Sequence, residues 1–252
     1  MADRLSNAVV CNAQAVLDDV KRAGGVPDRK ARVIRNGVEV APASSPPPSA
    51  SPLTILVSAN LIAYKGHAVL LDAFALATER LGPGALRLQL AGRGPEEPFL
   101  MARAAELRIE EDVEFLGSVP DVRPLLERCS FTVLPSFTEG MPNAVLESLG
   151  VGRAVIATRV GGVPEILCHG GGIMVAPRDP VALASSMVEL AADPVLTAAL
   201  GAEGLAVATS RFSMERMVDE TAGLYAELLD RKGFRGALVP APRAPVAVVE
   251  AF

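Results

Sequence analysis

Apolar residues along this chain gather in short runs, and between the runs they recur at helical spacing. The runs at 53–58, 86–91, 113–116, 131–135, 154–157 and 173–175 have the length and density of strands buried on both faces. Helical spacing fills 68–81, 98–107, 122–129, 144–151 and 163–167, and three later helices are announced by their caps, Asp179-Pro180, Asp193-Pro194 and Ser213. Strand, loop and helix in strict alternation predict an α/β fold, a Rossmann-like parallel sheet with helices on both faces. Ahead of it, 9–12 reads as a strand, 13–23 as a helix and 33–34 as a strand, followed by an Asn36-Gly37 turn. Residues 41–52 form a Ser/Pro/Ala linker expected to be stiff and extended, and the proline-bearing tail at 233–252 is expected to be disordered. The domain reading is therefore 1–40, a linker at 41–52, a main domain at 53–232 and the tail.

Composition narrows the classes. Half of the 252 residues are apolar and 21% are charged, so the signature of a disordered chain is missing. A net charge of −5 argues against a nucleic-acid partner. The longest uncharged stretch, 40–64, is interrupted by Pro46, Pro47, Pro48 and Pro52, which excludes a membrane-spanning helix there, and the first ten residues offer no apolar signal-peptide core. Cys11, Cys129 and Cys168 lack the spacing of a disulfide framework or a zinc site and read as buried or half-buried thiols of a reducing cytosol. His67 and His169 read as local hydrogen-bonding residues.

The candidate chemistry lies in the strand-to-helix loops. Residues 131–147 run from a buried strand through Glu139-Gly140-Met141-Pro142-Asn143-Ala144 into a helix that also carries Glu147. The free amides at about 142–146, less the one that proline lacks, point into the crevice at the strand ends and favour a phosphate. Glu139 and Glu147, eight positions apart, suit hydroxyl groups at both ends of one ligand such as a nucleotide sugar. Lys65, in a chain with only four lysines, offers a point charge in the loop after the first main strand. Gly92-Arg93-Gly94-Pro95 and Gly117-Ser118-Val119-Pro120 read as loops where backbones approach closely, and Gly161-Gly162-Val163-Pro164-Glu165 as a tight turn for packing. No Asp-x-Asp stands at a strand end to hold a metal on a diphosphate.

Taken in order, Lys65-Gly66, Gly92-x-Gly94-Pro95, Val113-x-Phe-Leu-Gly117, Leu134-Pro-Ser136, Glu139-Gly-x-Pro-Asn143, Glu147 and Gly161-Gly-x-Pro-Glu165 resemble the retaining glycosyltransferases of family 4 (group 1). That resemblance covers about 53–229. It implies the C-terminal, donor-binding half of a GT-B fold, with 1–40 similar to the last piece of the N-terminal acceptor domain, which is otherwise largely missing. It further implies that Lys65 and Glu139 are catalytic, Lys65 on the donor diphosphate and Glu139 on the transferred sugar. Gly140, Met141, Pro142, Asn143 and the amide of Ala144 would hold sugar and phosphate, Glu147 the ribose hydroxyls, Val119 would flank the base, and Arg93 completes the donor-binding set. Many members carry an arginine five positions before the lysine; here that donor-binding position is the neutral Asn60.

The implied activity is retaining, metal-independent glycosyl transfer from a nucleotide-activated sugar to a saccharide or lipid-linked acceptor, with no cofactor. The alternative is a nucleotide-sugar-binding module that is inactive alone and needs a separate acceptor-domain subunit. The implied location is the cytoplasm, with peripheral membrane attachment left open.

Overall fold

The computed structural model describes residues 6–42 and 46–233. Six strands, β3 (Leu53–Ser58), β4 (Leu86–Ala91), β5 (Val113–Gly117), β6 (Phe131–Leu134), β7 (Val155–Thr158) and β8 (Gly172–Val175), form one wholly parallel sheet in the order β5-β4-β3-β6-β7-β8. A smaller parallel pair, β1 (Val9–Cys11) and β2 (Ala31–Val33), precedes it, joined by α1 (Gln14–Arg22). The remaining helices are α2 (His67–Leu81), α3 (Glu97–Leu107), α4 (Arg123–Arg128), α5 (Asn143–Gly150), α6 (Val163–Leu167), α7 (Pro180–Ala192), α8 (Pro194–Arg211) and α9 (Met214–Arg231).

Side-chain alternation along the strands divides the core between the two faces of the sheet. Ile55 and Val57 of β3, with Leu88 and Leu90 of β4, pack beneath α2, α3 and α7 through residues such as Leu70, Phe74, Leu100 and Met187. Leu56 points the other way, against Leu126 of α4, while Val155 and Ala157 meet α5, α6 and α8 through Leu149, Ile166 and Ala208. The three announced caps are made: Asp179 accepts from the Ala182 amide and Asp193 from the Leu196 amide, both at 2.9 Å, and Ser213 accepts from the Arg216 amide at 3.3 Å.

The expected tail at 233–252 lies outside the described residues beyond Gly233. Asn36-Gly37 makes no hairpin turn. The chain stays extended there because the Val38 amide donates to Phe212 at 2.8 Å and Val38 accepts from Met214 at 3.1 Å, which ties this segment to the start of α9. Burial is found for Cys11 and Cys129, and it raises both pKa values, that of Cys129 to about 12, but Cys168 is exposed because it stands where α6 ends at the surface. Among the described residues no single helix is long and apolar enough to cross a membrane.

The largest fully buried side chain belongs to Arg153. Its guanidinium donates to the carbonyls of Leu126 at 2.9 Å and Glu127 at 2.6 Å, two of the carbonyls that the end of α4 leaves without helical partners. A cation buried in this way is stable only because its fork meets fixed acceptors. Replacing Arg153 with Leu takes the charged donor from both carbonyls and leaves Leu126 only the weak thiol donor of Cys129, and urea denaturation is expected to show a loss of about 3 kcal/mol. Arg153→Lys, with one donor centre in place of a fork, is expected to recover less than half of it.

Candidate functional site

Strand order fixes where a site can form. From β3 the sheet grows to one side through β4 and β5, and to the other through β6, β7 and β8. The loops leaving β3 and β6 therefore diverge and open a crevice at the carboxyl ends of those strands.

Two glycines decide how closely the loops around that crevice approach. Gly66 holds a left-handed conformation (φ +73°), and a Cβ there would stand 2.1 Å from the carbonyl oxygen of Pro135. The same contact is closed by the Phe137 amide donating to Tyr64 at 2.8 Å. On the opposite flank Gly161 (φ +50°) lies so close that a Cβ would come within 1.8 Å of the Glu139 carbonyl, and the Gly162 amide donates to Gly140 at 2.7 Å. The string from Gly161 to Glu165 is thus the packing turn that the sequence suggests. Its glutamate accepts from the Ala15 amide (3.0 Å) at the start of α1 and from Arg35 (2.9 Å), fastening the first segment to the main sheet.

These approaches bring Lys65 Nζ to 2.6 Å from Glu139 Oε1, with side chains 18% and 9% exposed. Ser136 Oγ donates to the same oxygen at 2.6 Å. Glu139 does not cap α5, whose N-terminus carries no side-chain cap. The Leu146 amide closes the first helical bond onto Pro142, so the free amides are those of Asn143, Ala144 and Val145 rather than the longer run expected. They leave the helix end electropositive and open to an anion.

A cleft of about 610 Å³ occupies this place. Asn60, Lys65, Arg93, Val119, Glu139, Met141, Pro142, Asn143 and Ala144 all line it. Lys65 and Arg93 are its two cations among the described residues, and Arg93 lies against Gly117, where a Cβ would come 3.2 Å from its Nε. Two expected residues fall elsewhere. Gly140 turns toward the first segment, where a Cβ would meet Asn12 Oδ1 at 3.1 Å. Glu147, one turn inside α5, lines an adjoining cavity of about 340 Å³ that shares Val122 and Asn143 with the cleft. It is half-buried, burial raises its pKa, and among the described residues it has no hydrogen-bonding partner. The two glutamates thus line two adjoining openings with Val122 and Asn143 in common.

Sequence reasoning missed Asn12 and Asn36, which line the cleft from the first segment. The Asn36 amide group donates to Asn143 Oδ1 at 2.7 Å and to the Met141 carbonyl at 3.2 Å. Its only signal was a place beside a glycine, which reads as a turn. His67 departs from its expected hydrogen-bonding role: it is 3% exposed, and neither ring nitrogen has a partner among the described residues. His169, at the exposed end of α6, makes no hydrogen bond among them either.

The family model described as Glycosyl transferases group 1 matches residues 52–193, more than half of the chain. The chain is 28% identical over 251 residues to a glycogen synthase of Mycobacterium tuberculosis, covering 96% of this chain and 58% of that protein. It is 30% identical over 236 residues to the lipopolysaccharide core biosynthesis glycosyltransferase LpsE of Rhizobium meliloti, covering 91% and 66%. It thus spans roughly three-fifths of the length of these relatives. Among solved structures, its fold is similar to S. aureus TarM in a complex with UDP (TM-score 0.80, 18% identity, 88% of this chain and 44% of that one). It is also similar to Anabaena HepE in complex with UDP (TM-score 0.78, 23% identity, 90% and 65%). These two likenesses establish the fold, that of GT-B glycosyltransferases.

One consequence of the buried histidine can be measured. Burial, and then the charge of Lys65, lower the pKa of His67 to about 4. The native protein therefore keeps this ring neutral between pH 6.5 and pH 4, while the unfolded chain takes up the proton. The contribution is complete above pH 6.5 and is lost as the pH falls toward 4, by roughly 3 kcal/mol in all. Denaturant titrations across that range are expected to show the loss in the parent chain and a shallower one in His67→Leu.

Proposed function

Because the chain belongs to the group 1 glycosyl transferases, we propose that it carries the donor-binding half of a retaining, metal-independent glycosyltransferase that uses a nucleotide-activated sugar. The observation that carries this reading is the meeting of Lys65, Glu139 and the uncapped start of α5 in one cleft. Lys65, Arg93 and the free amides of α5 would face the diphosphate, and Asn60 would add a neutral donor. As the bond from the anomeric carbon to the phosphate oxygen breaks, the electron pair passes to that oxygen, where a cation and oriented amides stabilise it. Glu139 would accept a hydrogen bond from a hydroxyl of the sugar, and Glu147, in the adjoining chamber, from the ribose. Cations and amides supply the charge that a metal would otherwise bring to the diphosphate. The acceptor would be a saccharide or a lipid-linked acceptor, and the location the cytoplasm.

A second reading concerns turnover alone. On it, the chain binds the donor and transfers only with a separate acceptor-domain subunit, since positioning an acceptor needs a second wall.

Calorimetric titration with UDP, GDP and ADP, without added metal, tests the common core of both readings. One of the three is expected to bind, and Lys65→Ala to weaken it at least tenfold, the loss of one charge-assisted hydrogen bond. Glu147→Gln is expected to weaken it similarly without lowering the melting temperature, because the substitution removes a half-buried charge. Absence of binding by the folded chain overturns both readings. Turnover of the donor by the purified chain overturns the second alone.

A further inference from the structure

Ser136 lies at the end of β6 with no exposed surface, and it does not line the cleft. Its hydroxyl donates to Glu139 Oε1 at 2.6 Å, the oxygen that also accepts from Lys65 Nζ at 2.6 Å. Ser136 is itself held from the neighbouring strand, since Thr158 Oγ1, buried at the end of β7, donates to its carbonyl. Glu139 Oε2 takes part in no hydrogen bond among the described residues, while the side chain as a whole faces the cleft.

This arrangement divides the carboxylate. One oxygen is saturated by two donors, and the other keeps its lone pairs for a ligand. A lysine alone could not achieve the division. Its ammonium is a point charge on a flexible stem, and a carboxylate free to rotate would turn both oxygens onto it. That would withdraw the acceptor from the sugar, while the ammonium, with three N–H donors, could still reach the diphosphate. With Ser136 on Oε1, the carboxylate plane is fixed and Lys65 retains two further N–H donors for phosphate oxygens.

We propose that Ser136 is a positioning residue that locks the Glu139 carboxylate so that one oxygen reads a sugar hydroxyl. The inference rests on the donor-binding reading above. It assigns to the Ser136–Glu139 pair the recognition of the sugar end of the donor, as distinct from its nucleotide end.

The test compares two ligands on one protein. For whichever of UDP, GDP and ADP binds the parent chain, the dissociation constants of the free diphosphate and of its glucose ester are measured for the parent, Ser136→Ala and Ser136→Thr. In Ser136→Ala the ester is expected to weaken about tenfold relative to the free diphosphate, whose affinity stays within twofold. In Ser136→Thr, which keeps the hydroxyl, the ratio is expected to return to within threefold of the parent. An equal loss for both ligands, or an unchanged ratio in Ser136→Ala, overturns the assignment and leaves the donor site standing. If the parent binds none of the three diphosphates, the donor-binding reading falls and this inference falls with it.

Discussion

The ion pair between Lys65 and Glu139 joins residues 74 positions apart, and the rest of the site follows from how that distance is closed. Neither side chain could reach the other if the loops after β3 and β6 kept an ordinary separation. They touch because Gly66 has no Cβ to strike Pro135, and the β6–α5 loop is pressed back from its far side by Gly161. A backbone contact that tolerates no side chain is a sharper constraint than hydrophobic packing, which can repack around a change. Cleft, carboxylate and helix end are consequences of two backbone surfaces in direct contact.

Much of this fold was legible in the sequence for a plain physical reason. Strands buried on both faces, as β6 and β7 are, carry no charge, and the other four keep enough apolar positions to stand out although Arg87 of β4 and Glu114 of β5 are exposed. The caps at Asp179, Asp193 and Ser213 were legible because capping is local, set by residues within one turn. The strand ends of a parallel sheet likewise give the place of the site once the strands are known, which is why Lys65 and Glu139 could be named in advance, whereas Arg93 came only with the family resemblance.

What escaped was whatever depends on contact between distant segments. Glu139 and Glu147 share one chain segment and read as a pair, but which distant residues complete the opening that each lines, Gly37 and Met214 beside Glu147 and Lys65 and Arg93 beside Glu139, is set by the fold. Asn36 looked like a turn residue because Asn-Gly commonly is one; α9, almost two hundred positions later, takes the backbone bonds that a turn would have needed. His67 reads as a local hydrogen-bonding residue, and only the packing shows that its ring is buried without a partner among the described residues. Ser136 gave no signal beyond its place in a motif, since its role lies in which oxygen of a distant-bonded carboxylate it occupies.

The buried arginine has a consequence for the order in which this chain can assemble. Helix α4, with Val122 and Leu126, forms a wall of the smaller cavity, and its last carbonyls find their partner 26 and 27 positions further along, beyond β6 and α5. As the chain leaves the ribosome at roughly 5–20 residues per second, α4 emerges before Arg153 does, when only Cys129 and solvent meet the carbonyls at its end. A six-residue helix has little stability of its own. The wall of the cavity therefore matures only when β7 docks beside β6, so completion of the sheet and completion of the pocket become the same event.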